Sequence, residues 1–141
     1  MLDEAIDETV LEGLRTYQRI GQPDFPSKVV GIYLDTTPRI LNELETAALA
    51  GDASLMWLAA HRLNSASGAV GAVRLATLCH DLEAMAQREQ VPSATERVQA
   101  IADEYGQVGA ALKTWCAIRG QGRACPVGNG RPFDDAARRA R

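Results

Sequence analysis

Aromatic residues are scarce in this 141-residue chain, at 5%, although hydrophobic residues make up 46% of it. Alanine carries much of the apolar content, which suits close-packed helices better than a sheet stocked with Val, Ile and Tyr. There are only three cysteines, Cys79, Cys116 and Cys125, an odd number with neither paired nor metal-ligand spacing. That argues against a disulfide framework of the secreted kind, and a reducing cytoplasm is the expected setting. No uninterrupted apolar run approaches the roughly 18 residues of a membrane span. The start, Met1-Leu2-Asp3-Glu4, lacks the basic residues and apolar stretch of a signal peptide. Any anchor to a membrane-bound receptor is expected to lie outside these residues.

Charge is unevenly placed. Residues 1–118 hold nine Lys and Arg against sixteen Asp and Glu, while 119–141 hold six Arg against two Asp. An acidic body repels phosphate backbones, so nucleic acid is not expected as a partner. The length suits one core. Residues 1–118 are expected to form it, and 119–141, rich in Gly and Arg with Pro126 and Pro132, to form a disordered tail with a frayed helical end at 134–141.

The order of helices can be read from apolar spacing and from stop signals. Asp7 can cap a short helix carrying Val10, Leu11, Leu14 and Tyr17, which Gly21-Gln22-Pro23 ends. A longer helix opens at Asp24-Phe25-Pro26-Ser27 and carries Val30, Tyr33, Leu34, Leu41, Leu44 and Ala48. Pro38 lies inside it, where a kink is expected rather than a break. Asp52 is placed to cap a third helix over 53–69, and Gly71 to close it in a left-handed conformation. A fourth runs from Ala72 to about Arg88, with Leu75, Leu78, Cys79, Leu82 and Met85 inward, until Val91-Pro92 breaks the chain. Ser93 and Glu96 have the spacing of a capping box. The fifth helix then carries a seam of Val98, Ile101, Tyr105, Val108, Leu112 and Trp115. The fold class is all-α: an antiparallel up-down four-helix bundle with an extra short N-terminal helix across one end. Such a bundle has no deep pocket, which argues against an enzyme acting on a small substrate.

The stretch His61 to Leu75 sets a histidine in mid-helix and surrounds it with small residues. A wheel puts Ala53, Met56, Ala60, Leu63, Ser67 and Val70 on the core stripe and His61 well away from it. The ring is expected to face solvent or a partner, with Trp57, Leu58, Asn64 and Ser65 as axial neighbours and Gly68 one turn further on. Trp57 borders the core and reads as packing. His80, beside Cys79 and without such a clearing, reads as a solvated helix residue. A metal cluster of His61, Cys79 and His80 is not expected, because inward Cys79 and outward His61 point apart.

His61-x-Leu63 followed by small residues, Gly71-Ala72, Leu75 and Leu78-Cys79-His80-Asp81-Leu82-Glu83 resembles the signature of histidine-containing phosphotransfer (HPt) domains. The likeness extends upstream to Leu34 and spans roughly residues 2–90, and it is closest to the C-terminal HPt module of a hybrid sensor kinase. Asn64 stands where the family has a lysine, and Ser65 where it has a glycine. The resemblance implies a phosphorelay carrier in which His61 takes a phosphoryl group from the aspartate of one receiver domain and passes it to that of another. It also implies that Glu83 orients the ring, that Asn64 and Ser65 serve the phosphoryl oxygens, and that Arg62 adds charge. Leu55, Leu58, Arg62 and Gly68 are candidates for contact with the receiver, although the first helix could instead cover the two leucines. The chain itself would need no cofactor and would not be a catalyst, since the receiver brings the aspartate, the lysine and Mg²⁺. Its own hybrid kinase is a further candidate partner. The alternative is an HPt-shaped docking module that regulates a partner without phosphotransfer.

Overall fold

The structure, a computed structural model, describes residues 5–21 and 24–120. The helix stop at Gln22-Pro23 and the tail beyond Gly120, with Cys125, lie outside the described residues. Five α-helices and no strand are found among the described residues: α1 (Glu8–Gly13), α2 (Phe25–Ala50), α3 (Ala53–Ala69), α4 (Val73–Gln87) and α5 (Ala94–Gly120). The four long helices form a ring in which α3 packs on α2 and α4, and α5 packs on α4 and α2. The fold is the all-α bundle that the apolar spacing implied.

Its interior follows from the helical stripes. Val30 and Leu44 of α2, Met56 and Leu63 of α3, Leu75 and Leu82 of α4, and Ile101, Val108 and Leu112 of α5 are fully buried, each contributing about 2 kcal/mol by leaving water. Trp115 and Cys116 complete the α5 side, and Tyr105 is half-buried. Helix α2 runs unbroken through Pro38. The proline removes one backbone donor, but Tyr33, Leu34, Thr37, Ile40 and Leu44 are buried on both sides of it, so packing holds the two halves in one helix.

Two helix ends depart from expectation. The apolar series of α1 stops short of Tyr17, because the chain tightens into a 3-10 turn over Leu14–Tyr17. This leaves Tyr17 65% exposed and leaning on Phe25 at 6.0 Å between ring centroids. The entry to α5 is a 3-10 turn over Val91–Ser93, with Ser93 N–H donating to the Gln90 carbonyl. The Ser93–Glu96 box is not among the hydrogen bonds of the described residues.

The turn from α3 to α4 is fastened both by its own backbone bonds and by the N-terminal segment. Ala72 N–H donates to Ser67 O at 2.9 Å and Gly71 N–H to Gly68 O at 3.2 Å, the paired bonds of a Schellman close. Gly71 sits at φ +81°, as the sequence suggested, and a Cβ there would lie 2.5 Å from the carbonyl oxygen of Asp7. Only glycine allows the N-terminal segment so near, and that segment is tied down by Asp7 N–H on Gly71 O at 2.7 Å. Asp7 in turn caps α1 through Thr9 N–H. The short first helix is thereby seated at the C-terminal end of α3.

Candidate functional site

Helix α3 starts at Asp52, whose carboxylate accepts from Leu55 N–H at 3.1 Å. From that fixed start the 3.6-residue repeat turns Met56, Ala59, Ala60, Leu63 and Ser67 inward and His61 outward, with half of its side chain exposed. The wheel placed Met56, Ala60, Leu63 and Ser67 inward and His61 outward; Ala59 is a further buried position, and Ala53 is only half-buried. Met56, Ala59 and Ala60 are small or flexible enough to let α3 lie close to its neighbours, and α4 brings Glu83 alongside the imidazole.

Glu83 is only 12% exposed, and both of its oxygens are committed to α3. Oε1 lies 3.5 Å from His61 Nδ1, and Oε2 accepts from the Asn64 side-chain amide at 2.9 Å. At 3.5 Å the first contact is at the outer limit of a hydrogen bond, so its effect is mainly electrostatic. With its proton on Nδ1, the ring faces the carboxylate with its positive edge and leaves the Nε2 lone pair as its nucleophilic site.

The other sequence-selected residues divide into those the fold gathers at the ring and those it does not. Ser65 is exposed one turn on from His61. Gly68 is exposed two turns on, and a Cβ built there meets nothing within 4 Å, so the surface beyond the imidazole is low and open. Leu55 and Leu58 are 54% and 45% exposed. The first helix does not cover them, because it is seated at the opposite end of α3. Arg62 turns toward α2, where its guanidinium donates to Glu43 at 3.0 Å. His80 is exposed on α4, whereas Cys79 beside it is buried; burial and the nearby Glu83 charge push that thiol up to about 12. No group of three or more His, Cys, Asp or Glu side chains able to hold a metal ion occurs among the described residues.

Two contacts escaped the sequence reading. Trp57 does not merely border the core: its indole stacks on the His61 ring, with centroids 4.8 Å apart and planes 7° from parallel. The four-residue spacing was the available signal. The bond from Asn64 to Glu83 had no such signal, because it depends on how far α4 is shifted along α3.

The family model described as the Hpt domain matches residues 28–111. Among solved structures, the chain is similar to histidine-containing phosphotransfer protein B (HptB) from Pseudomonas aeruginosa PAO1, with 26% identity, a TM-score of 0.73, and coverage of 80% of this chain and 95% of that one. No match was found among curated proteins. No described helix is long and apolar enough to cross a membrane. An exposed histidine on a four-helix bundle, a match of the family model over well over half of the chain and the likeness to HptB together identify the chain as a member of the Hpt domain family, a histidine phosphotransfer carrier of two-component signalling.

Proposed function

We propose that His61 is the phosphoacceptor, taking a phosphoryl group from the aspartyl phosphate of one receiver domain and giving it to the aspartate of another. On uptake, the Nε2 lone pair attacks phosphorus. The N–P bond forms as the P–O bond breaks, and the bonding pair leaves on the aspartate carboxylate. Nδ1 keeps its proton, so the product ring is cationic beside a dianionic phosphoryl group. On delivery a carboxylate oxygen of the accepting aspartate attacks, the N–P bond breaks, and its pair returns to Nε2. Catalysis of both steps falls to the receiver, with its Mg²⁺ and lysine; the bundle supplies an oriented nucleophile and contributes no metal of its own.

The observation that carries this reading is a half-exposed imidazole held at Nδ1 by a nearly buried carboxylate. Contacts of this kind tighten in the reacting complex, and a negative charge at Nδ1 favours the ring charge that develops on phosphorylation. Leu55 and Leu58 offer the receiver an apolar rim on the N-terminal side of the ring, and Ser65 and Gly68 leave room on the other. Asn64 keeps a second amide hydrogen for a phosphoryl oxygen, its first being spent on Glu83. Such a carrier works in the cytoplasm, where its receivers are.

The test is incubation of the full chain with a purified receiver domain, phosphorylated by a small-molecule phosphodonor, in Mg²⁺. Acid-labile label should appear on the chain and disappear in His61→Gln, while helical content is unchanged because the ring is exposed. A second reading, docking without transfer, is favoured by one observation: the position that holds a lysine in the family is occupied by an asparagine already engaged with Glu83. Receiver binding that survives His61→Ala with no phosphohistidine detectable would establish it.

A further inference from the structure

The indole of Trp57 lies flat against the His61 ring at 4.8 Å, the arrangement in which an aromatic face stabilises a cation. The two residues are four apart on α3, so the stack is built into one helix and exists before any partner arrives. Trp57 is half-buried, and its Nε1–H is buried with no hydrogen-bond partner among the described residues. Packing, not a hydrogen bond at Nε1, therefore sets where the indole lies. His61 is thus bounded on one face by an indole and at Nδ1 by a carboxylate. The remaining charged neighbours are directed elsewhere or more distant along the helices: Arg62 is paired with Glu43 of α2, and His80 lies one turn before Glu83 on α4.

We propose that Trp57 is a positioning residue for phosphoryl transfer. It holds the imidazole so that Nδ1 faces Glu83 and Nε2 faces the receiver, and it stabilises the cationic ring of the phosphorylated state. This rests on the reading of His61 as the carrier. Delivery proceeds from a ring still protonated on Nδ1, which leaves as neutral imidazole. Uptake is the step in which the ring gains positive charge, so an aromatic face that stabilises the cation speeds uptake and strengthens retention of the phosphoryl group. The indole quadrupole acts on the face and Glu83 on the edge, so the two effects are separable by substitution.

The experiment uses the full chain with Trp57→Leu and Trp57→Phe. In proton NMR the His61 ring protons should resonate upfield of those of His80, the chain's second histidine, because they lie over the indole. Trp57→Leu should bring them to the His80 position, and Trp57→Phe should retain most of the shift. Uptake from a phosphorylated receiver should slow about 3- to 10-fold in Trp57→Leu and recover to within about twofold of wild type in Trp57→Phe. Should Trp57→Leu lose helical circular dichroism, Trp57→Met, with a flexible apolar chain for the half-buried site, replaces it. Uptake at the wild-type rate in a folded variant whose ring shift is gone overturns the proposal, as does a wild-type spectrum with no upfield shift. Label that persists in His61→Gln overturns the carrier reading itself, so the two failures are told apart.

Discussion

The two halves of α3 are built for opposite purposes. Its C-terminal half is closed on the core side: Ser67 and the capping Val70 just beyond it are fully buried, Ser67 shares a 2.9 Å hydrogen bond with buried Tyr33, and the N-terminal segment is fastened across Gly71, while Ser65 and Gly68 stay exposed on the outer side. Its N-terminal half is open: Leu55, Leu58 and His61 are exposed, and the polar contacts there hold a ring rather than a core. One helix therefore combines a rigid anchor with an accessible face, and the anchor is what fixes the rotation at which the face is presented. Substitutions on the core side of the closed half should cost stability and spare the chemistry, and those at the exposed positions around the ring the reverse.

The largest effect expected is at Gly71→Ala. A methyl group would have to occupy a left-handed backbone 2.5 Å from the Asp7 carbonyl oxygen, costing about 2 kcal/mol or more. A lower urea midpoint with an unchanged m value should report it, while the folded fraction transfers phosphoryl groups normally. Equal stability would mean that the closed half is not closed by the N-terminal segment. Next comes Glu83→Gln, which keeps a hydrogen-bonding group of the same size and removes its charge. Transfer should slow about tenfold, the difference between a charge-assisted and a neutral contact, with little change in the urea midpoint. A rate within twofold of wild type would erase the distinction between the halves.

The mildest test near neutral pH concerns the interior that both halves share. Burial, and secondarily the charge of Glu83, push Cys79 up to about 12, against an ordinary thiol value of about 8.5 in the unfolded chain. Between those values the folded protein keeps a proton that the unfolded chain has released, so stability should fall as pH rises through that window. Tyr33, pushed by burial well above the usual phenol range, adds to the decline above about pH 10. Urea titrations from pH 8 to 10 should show the loss, and Cys79→Ala should flatten it. An unflattened slope would assign the proton elsewhere.

How much of this was legible in the sequence depended on whether the determinant was local. Asp7 and Asp52 as caps, Gly71 as a left-handed close, and the outward direction of His61 all follow from residues within a turn of one another. Glu83 could be placed near His61 by resemblance to a family, but its second bond could not be foreseen. The Asn64 amide meets Glu83 because of the longitudinal offset of α4 against α3, which no single-helix pattern encodes. Arg62, expected to add charge beside the phosphoryl group, is instead drawn to Glu43 on a different helix. Tyr17 misled for a different reason: a 3-10 turn changes the angular step, so spacing that is right for an α-helix points the ring outward.

Because the Glu83 carboxylate grips α3 at two points, one oxygen for His61 and the other for Asn64, it also works as a register pin. Sliding α4 by a single residue would carry it about 1.5 Å along the bundle, enough to pull the carboxylate off both partners together. The reactive ring is thus sensitive to the axial alignment of two helices. A docking protein that nudged either one could tune the nucleophile without touching it.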